Sequence, residues 1–114
     1  MNIDISFAIA IQSDLEGKEL IDFISEIVSP SDRITALVIK GMNNRFILEK
    51  NWSYDPKKIN LHDGWLYYRY ELSVYPINNT SLNKQKTLAT LLISSLRNYN
   101  IKAELICDDD FEEK

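Results

Sequence analysis

Ile3-Asp4-Ile5-Ser6-Phe7-Ala8-Ile9-Ala10-Ile11-Gln12 is the stretch that decides the class of fold. Ile3, Ile5, Phe7, Ile9 and Ile11 alternate with Asp4, Ser6, Ala8, Ala10 and Gln12, and only a β-strand turns a period of two into one apolar face. The opposite face holds small or polar groups, so it is half exposed or closely covered. The next stretch changes period. Leu20, Phe23, Ile24, Ile27 and Val28 fall at i, i+3, i+4, i+7 and i+8, one stripe of a helix. Lys18, Glu19, Asp22 and Glu26 take its wet side. Ser13 and Glu16 have capping-box spacing, and Ser29-Pro30 predicts the stop, because a residue before proline avoids the helical region.

Outward from this β-α start, Arg33–Lys40 reads as a strand, and Gly41, Asn43 and Asn44 suit a hairpin loop leading to a return strand Phe46–Lys50. Asn51–Gly64 reads as a longer connection. Trp65–Tyr75 predicts a long strand with Leu66, Tyr68, Tyr70, Leu72 and Val74 on its core face, and Trp65, Tyr67, Arg69, Glu71, Ser73 and Tyr75 on the other. A second helix spans Leu82–Tyr99, capped by Thr80 or Ser81, with Leu88, Leu91, Leu92, Leu96 and Tyr99 as its stripe. Ile101–Cys107 is the last strand. The order β-α-β-β-β-α-β, with one apolar face per element, implies an α+β two-layer sandwich. The expected sheet is mixed and mostly antiparallel with both helices on one face, a ferredoxin-like, split βαβ plan. Residues 1–107 form one domain and 108–114 an acidic C-terminal tail.

At 114 residues, 45% hydrophobic and 26% charged, the chain can hold a core without staples and is neither disordered nor collagen-like. One Cys and one His exclude a Cys/His zinc cluster and an internal disulfide. Cys107, on the apolar side of the last strand, reads as a structural thiol. No metal, cofactor or catalytic residue is implied. His62, in His62-Asp63-Gly64, has ordinary turn composition, although with Asp55 and Asp63 it is the one set of residues an enzyme reading could use. No segment has the 18 or more apolar residues of a membrane span, and the N-terminus does not read as a secretion signal, with no basic region, Asp4 inside its apolar stretch and Asp14 and Glu16 following. The expected location is cytoplasmic, with no membrane contact.

Charge is unevenly placed. Residues 14–32 set Asp14, Glu16, Glu19, Asp22, Glu26 and Asp32 against Lys18, and Asp108, Asp109 and Asp110 open the acidic tail. Residues 33–102 hold eleven Lys and Arg against Glu49, Asp55, Asp63 and Glu71. The net charge of −4 and the lack of a basic-Gly-aromatic-Gly order speak against nucleic acid as the partner. Seven of the 12 aromatic residues lie between Trp52 and Tyr75. Core packing uses some of these. Trp52, Tyr54, Trp65, Tyr67 and Tyr75 are left for an amphipathic patch, since Tyr and Trp bury much area with few rotors.

With its plan, its size, Asn51-Trp52-Ser53-Tyr54-Asp55, Asp63-Gly64-Trp65-Leu66-Tyr67-Tyr68 and the acidic ending Cys107–Lys114, the whole chain resembles small acidic α+β bacterial toxin-immunity proteins. The resemblance implies a non-catalytic intracellular protein that binds and blocks a cognate toxin, here one with a basic domain. Glu19, Asp22, Glu26, Asp108, Asp109 and Asp110 would then steer, and Trp52, Trp65, Tyr67 and Tyr75 would anchor. The alternative is a ligand-sensing or assembly module that forms a homodimer through a sheet face or edge.

Overall fold

The computed structural model describes residues 5–106. Strand β1 (Phe7–Gln12) leads through helix α1 (Gly17–Ile27) to β2 (Ser31–Thr35), β3 (Val38–Gly41) and β4 (Asn44–Lys50). A short 3-10 turn, Gly64–Tyr67, precedes β5 (Tyr70–Pro76), helix α2 (Leu82–Asn98) and β6 (Lys102–Ile106). The strands form one sheet in the order β2-β3-β4-β5-β1-β6. Every pairing in it is antiparallel, which corrects the expectation of a mixed sheet.

The period-two reading holds over β1, Phe7–Gln12, whereas Ile5 and Ser6 precede the strand and Ile3 and Asp4 lie outside the described residues. Phe7, Ile9 and Ile11 are buried and lie beside Val74, Leu72 and Tyr70 of β5. Leu20, Ile21 and Ile24 of α1 and Leu88, Leu92 and Leu96 of α2 close on that same face, together with Phe46 and Leu48 of β4. Each such large side chain contributes about 1.5–3 kcal/mol on burial. Phe23 and Tyr99 meet edge to face between the two helices, with ring centroids 4.7 Å apart.

Several local expectations are corrected. The single strand Arg33–Lys40 is two strands, folded back on each other at Thr35–Leu37, where the Leu37 amide donates to Thr35 Oγ1 and the Leu37 carbonyl accepts from the Leu48 amide. The turn contains neither Gly nor Pro, so nothing in the local sequence marks it. At the next hairpin Met42 and Asn43 take left-handed backbone (φ 47° and 64°), as a two-residue turn of this hand requires at both positions. Gly41 serves close approach instead: a Cβ there would sit 3.1 Å from the carbonyl oxygens of Val28 and Pro30.

The capping box of α1 is Glu16 with Glu19, not Ser13 with Glu16, and the Ser13 hydroxyl accepts from the Leu15 amide. Helix α2 is capped by Ser81, whose hydroxyl accepts from the Lys84 amide. It ends on Asn100 in left-handed backbone, with the Ile101 and Asn100 amides closing on the Leu96 and Arg97 carbonyls. Its inner stripe is Gln85, Leu88, Ala89, Leu92 and Leu96, whereas Leu91 and Tyr99, expected inside, are exposed.

The expected strand Trp65–Tyr75 begins only at Tyr70, because Gly64–Tyr67 winds into the 3-10 turn. Trp65 and Tyr67 therefore do not stand on a strand face. Leu66 is exposed, and Tyr68 is buried outside the main core cluster. Cys107 and the tail 108–114 lie outside the described residues.

Candidate interaction surface

Between β4 and β5 the chain makes a long excursion, residues 51–69, built as a ladder of turns. The amides of Tyr54, Lys58, Leu61 and Gly64 donate to the carbonyls of Asn51, Asp55, Lys58 and Leu61 in succession. Bonds from Asn51 and Asp55 then tie the far arm to the near one. The Asn51 side-chain amide donates to the Leu66 and Tyr68 carbonyls, at 2.9 and 2.7 Å, and the Asp55 amide donates to the Tyr67 carbonyl at 3.1 Å. The Lys58 ammonium sits 5.0 Å from the centroid of the Tyr67 ring. Loops of this length without their own bracing are uncommon in small domains. This one is braced along its whole course.

The excursion displays apolar surface. Trp52 is 96% exposed, and Tyr54, Leu61, Trp65 and Leu66 are exposed as well. Trp65 and Leu66 lean over the sheet face opposite the helices, lining a 220 Å³ hollow with Ala10, Asn51, Glu71 and Ile106. This cover explains why Ala10, on the outer face of β1, is buried.

Arg69 anchors the return arm. Its amide donates to Gln12 Oε1, and its guanidinium donates to the Ser13 and Leu15 carbonyls at 3.2 and 3.1 Å. The same group stands 3.6 Å from the Glu16 carboxylate and 4.9 Å from the Tyr70 ring centroid. The Tyr70 hydroxyl donates to the Leu15 carbonyl at 2.9 Å. The sequence reading gave Arg69, Asn51 and Gln12 none of these partners, because each is a backbone group of a distant segment.

Burial raises the pKa of Tyr70, with Arg69 lowering it and Glu16 and Glu19 adding to the rise. Burial likewise raises Tyr68, with Glu104 adding to the rise and Arg97 opposing it. The ordinary tyrosine value is about 10. Both groups hold their protons more tightly in the folded chain than in the unfolded one, so their contribution is whole below about pH 10 and is lost as pH climbs through the native values. Denaturant titrations at pH 8, 10 and 11 are expected to show stability falling over the last interval. The Tyr68→Phe/Tyr70→Phe variant is expected to lose less there, and equal alkaline slopes in the two proteins would count against this assignment.

The residues read as functional fall on two surfaces. Glu19, Asp22 and Glu26 lie on the outer side of α1, in the helical layer. Two of them already have partners: Asp22 pairs with Arg33 of β2, and Glu19 caps the Glu16 amide. Trp65 lies beyond the opposite side of the sheet, and Tyr75, across from Arg45, is on that side too. Trp52 and Tyr67 belong to the excursion. The acids and the aromatics are thus not brought together, while Asp108, Asp109 and Asp110 lie outside the described residues.

His62 and Asp63 are exposed, and Asp55 Oδ1 accepts from the Lys57 amide within its own turn. No group of three His, Cys, Asp or Glu side chains suited to a metal ion occurs among the described residues, and no helix there is long and apolar enough to cross a membrane. Comparison with protein-family models, curated proteins and solved structures gave no match to this chain.

Proposed function

We propose that this chain is a non-catalytic protein-binding domain of the immunity type, which neutralises a cognate bacterial toxin in the cytoplasm by covering or flanking its active site. The observation that carries the reading is the braced excursion with Trp52 at 96% exposure. A bare tryptophan costs solvation unless something covers it, and a pre-ordered aromatic loses little entropy when it docks. Glu26 of α1, which has no ion-pair partner among the described residues, and the acidic tail would speed encounter with a basic toxin. On this reading the fold is a ferredoxin-like unit, β4-β5-β1-β6 with two helices, extended by the hairpin β2–β3.

The test uses the product of the neighbouring gene. Expressed alone it is expected to arrest growth, and expressed together with this chain to be tolerated and to copurify with it. Trp52→Ala is expected to weaken the complex about 30-fold or more without changing the fold, the effect of losing about 2 kcal/mol at an interface anchor. A neighbour product that this chain neither binds nor neutralises removes the reading, as does a complex indifferent to Trp52→Ala.

A further inference from the structure

The outer face of the sheet, turned away from the helices, is ordered into rows by the strand register. The central row runs Val38, Ile47, Ser73, Ala8, Ile106 from β3 to β6. Two residues along the strands in one direction, Lys40 and Arg45 stand beside Tyr75. Two residues in the other direction stand Glu49, Glu71, Ala10 and Glu104. On β4 alone the sequence of outer residues is Arg45, Ile47, Glu49, a cation and an anion equally spaced about an isoleucine. Glu49 and Glu71 sit directly opposite one another, and among the described residues neither has an ion-pair partner. Like charges so placed cost stability unless a cation is brought to them.

We propose that this face is the interface of a homodimer whose twofold axis crosses the strands at Ile47. A rotation about that axis lays β4 antiparallel on its own copy. Ile47 then packs on the partner's Ile47, and Arg45 meets the partner's Glu49 twice over, once from each side. Tyr75 lies over the partner's Glu71. The twofold that superposes the strands in the same direction would instead set Arg45 on Arg45 and Glu49 on Glu49, so the charge pattern selects one geometry. Trp65 and Leu66 rise on the β1–β6 side over the acidic half, and the rotation carries the partner's Trp65 over the basic half, where Tyr75 is exposed.

Edge-to-edge association is the poorer route. β2 carries a register shift between Arg33 and Thr35, and at the other edge Arg97 donates twice to the Ala103 carbonyl of β6. Five strands about 4.8 Å apart and six residues of about 3.3 Å each make a face of roughly 480 Å² per copy. Two such faces fall near the lower limit for a specific interface, so the dimer is expected to be weak, with micromolar dissociation.

The test is sedimentation velocity on the full chain from about 5 to 200 µM at low salt, with circular dichroism to confirm folding. The wild type is expected to shift from monomer to dimer over that range, and to dissociate as salt rises. Arg45→Glu and Glu49→Arg, both at exposed positions, are each expected to weaken the dimer at least 10-fold, and the double variant R45E/E49R to restore it. A chain monomeric at 200 µM overturns the proposal. Failure of the double variant to recover dimerisation overturns it equally. The toxin reading is tested separately through Trp52, so either can fail without the other.

Discussion

Gln85→Leu is expected to cost about 2–4 kcal/mol of folding stability, seen as a melting temperature lower by about 10 °C or more in a chain of this size. Gln85 and Asn44 are among the most deeply buried polar residues described, at 1% and 0% exposure. Their amides clasp each other reciprocally, Asn44 Nδ2 donating to Gln85 Oε1 and Gln85 Nε2 to Asn44 Oδ1, both at 2.9 Å. The remaining protons go to the backbone: Asn44 Nδ2 to the Met42 carbonyl at 2.8 Å, and Gln85 Nε2 to the Ile5 carbonyl at 3.1 Å. The pair therefore ties helix α2, the start of β4 and the lead into β1 in one place.

A fully satisfied pair of this kind adds little net energy over water, but breaking it strands Asn44 Oδ1 and one Asn44 Nδ2 proton in a dry interior. Each stranded group costs about 1–3 kcal/mol, which is the source of the large effect. Asn44→Leu alone should cost as much. Asn44→Leu/Gln85→Leu together should cost clearly less than the sum, because neither amide is then left unpaired. Chemical denaturation of the four proteins closes this cycle. Strict additivity would mean that the two amides act independently, contrary to the geometry.

Gly64→Ala is the second large effect, and it falls on the surface rather than on the core. A Cβ at Gly64 would overlap the Ile59 carbonyl oxygen and lie 2.5 Å from the carbonyl carbon. The obstacle is backbone, not the end of a flexible side chain. The φ of Gly64 is not positive, so the cost is steric overlap rather than a conformational preference. Overpacking of this kind costs about 1–3 kcal/mol, and here the chain can relieve it by opening the excursion while the helices and sheet stay folded.

The expected signature is split. Far-ultraviolet circular dichroism stays close to wild type. Tryptophan emission shifts to the red as Trp65 leaves the hollow over Ala10, and limited proteolysis finds new cuts within residues 51–67. Binding to the partner falls with it, since the bracing of Trp52 is lost. An alanine variant with unchanged emission and protease resistance would show that Ile59 yields easily, and the excursion would not be the rigid platform argued above.

The other outcomes rest on the same division between local pattern and distant contact. Alternation from Phe7 to Ile11 and the i, i+3, i+4 spacing from Leu20 to Val28 were enough to place a strand and a helix on one core, because each signal lies within a few residues of chain and matches the geometry of its element. The turn at Thr35–Leu37 gave no such signal, and Trp65–Tyr75 gave a misleading one: its alternation is real, but the Gly64–Ile59 approach and the Asn51 bonds to Leu66 and Tyr68 wind its first part into a 3-10 turn. Gln85 left a faint trace. An amide on the apolar stripe of α2, in line with Leu88, Ala89 and Leu92, calls for a buried partner without saying which one.

By itself, then, the sequence determined the α+β class, the two apolar helix stripes, the strand that carries the core and the concentration of aromatics between Trp52 and Tyr75. Only the tertiary structure decided the uniformly antiparallel sheet, the separation of the acidic helix from the aromatics, the pairing of Asn44 with Gln85 and the rows of opposite charge on the outer face. The first set depends on periodicity, which a single element expresses alone. The second depends on which backbone and side-chain groups meet across long stretches of chain, 41 residues between Asn44 and Gln85 and 80 between Gln85 and Ile5, and those meetings exist only once the layers have closed.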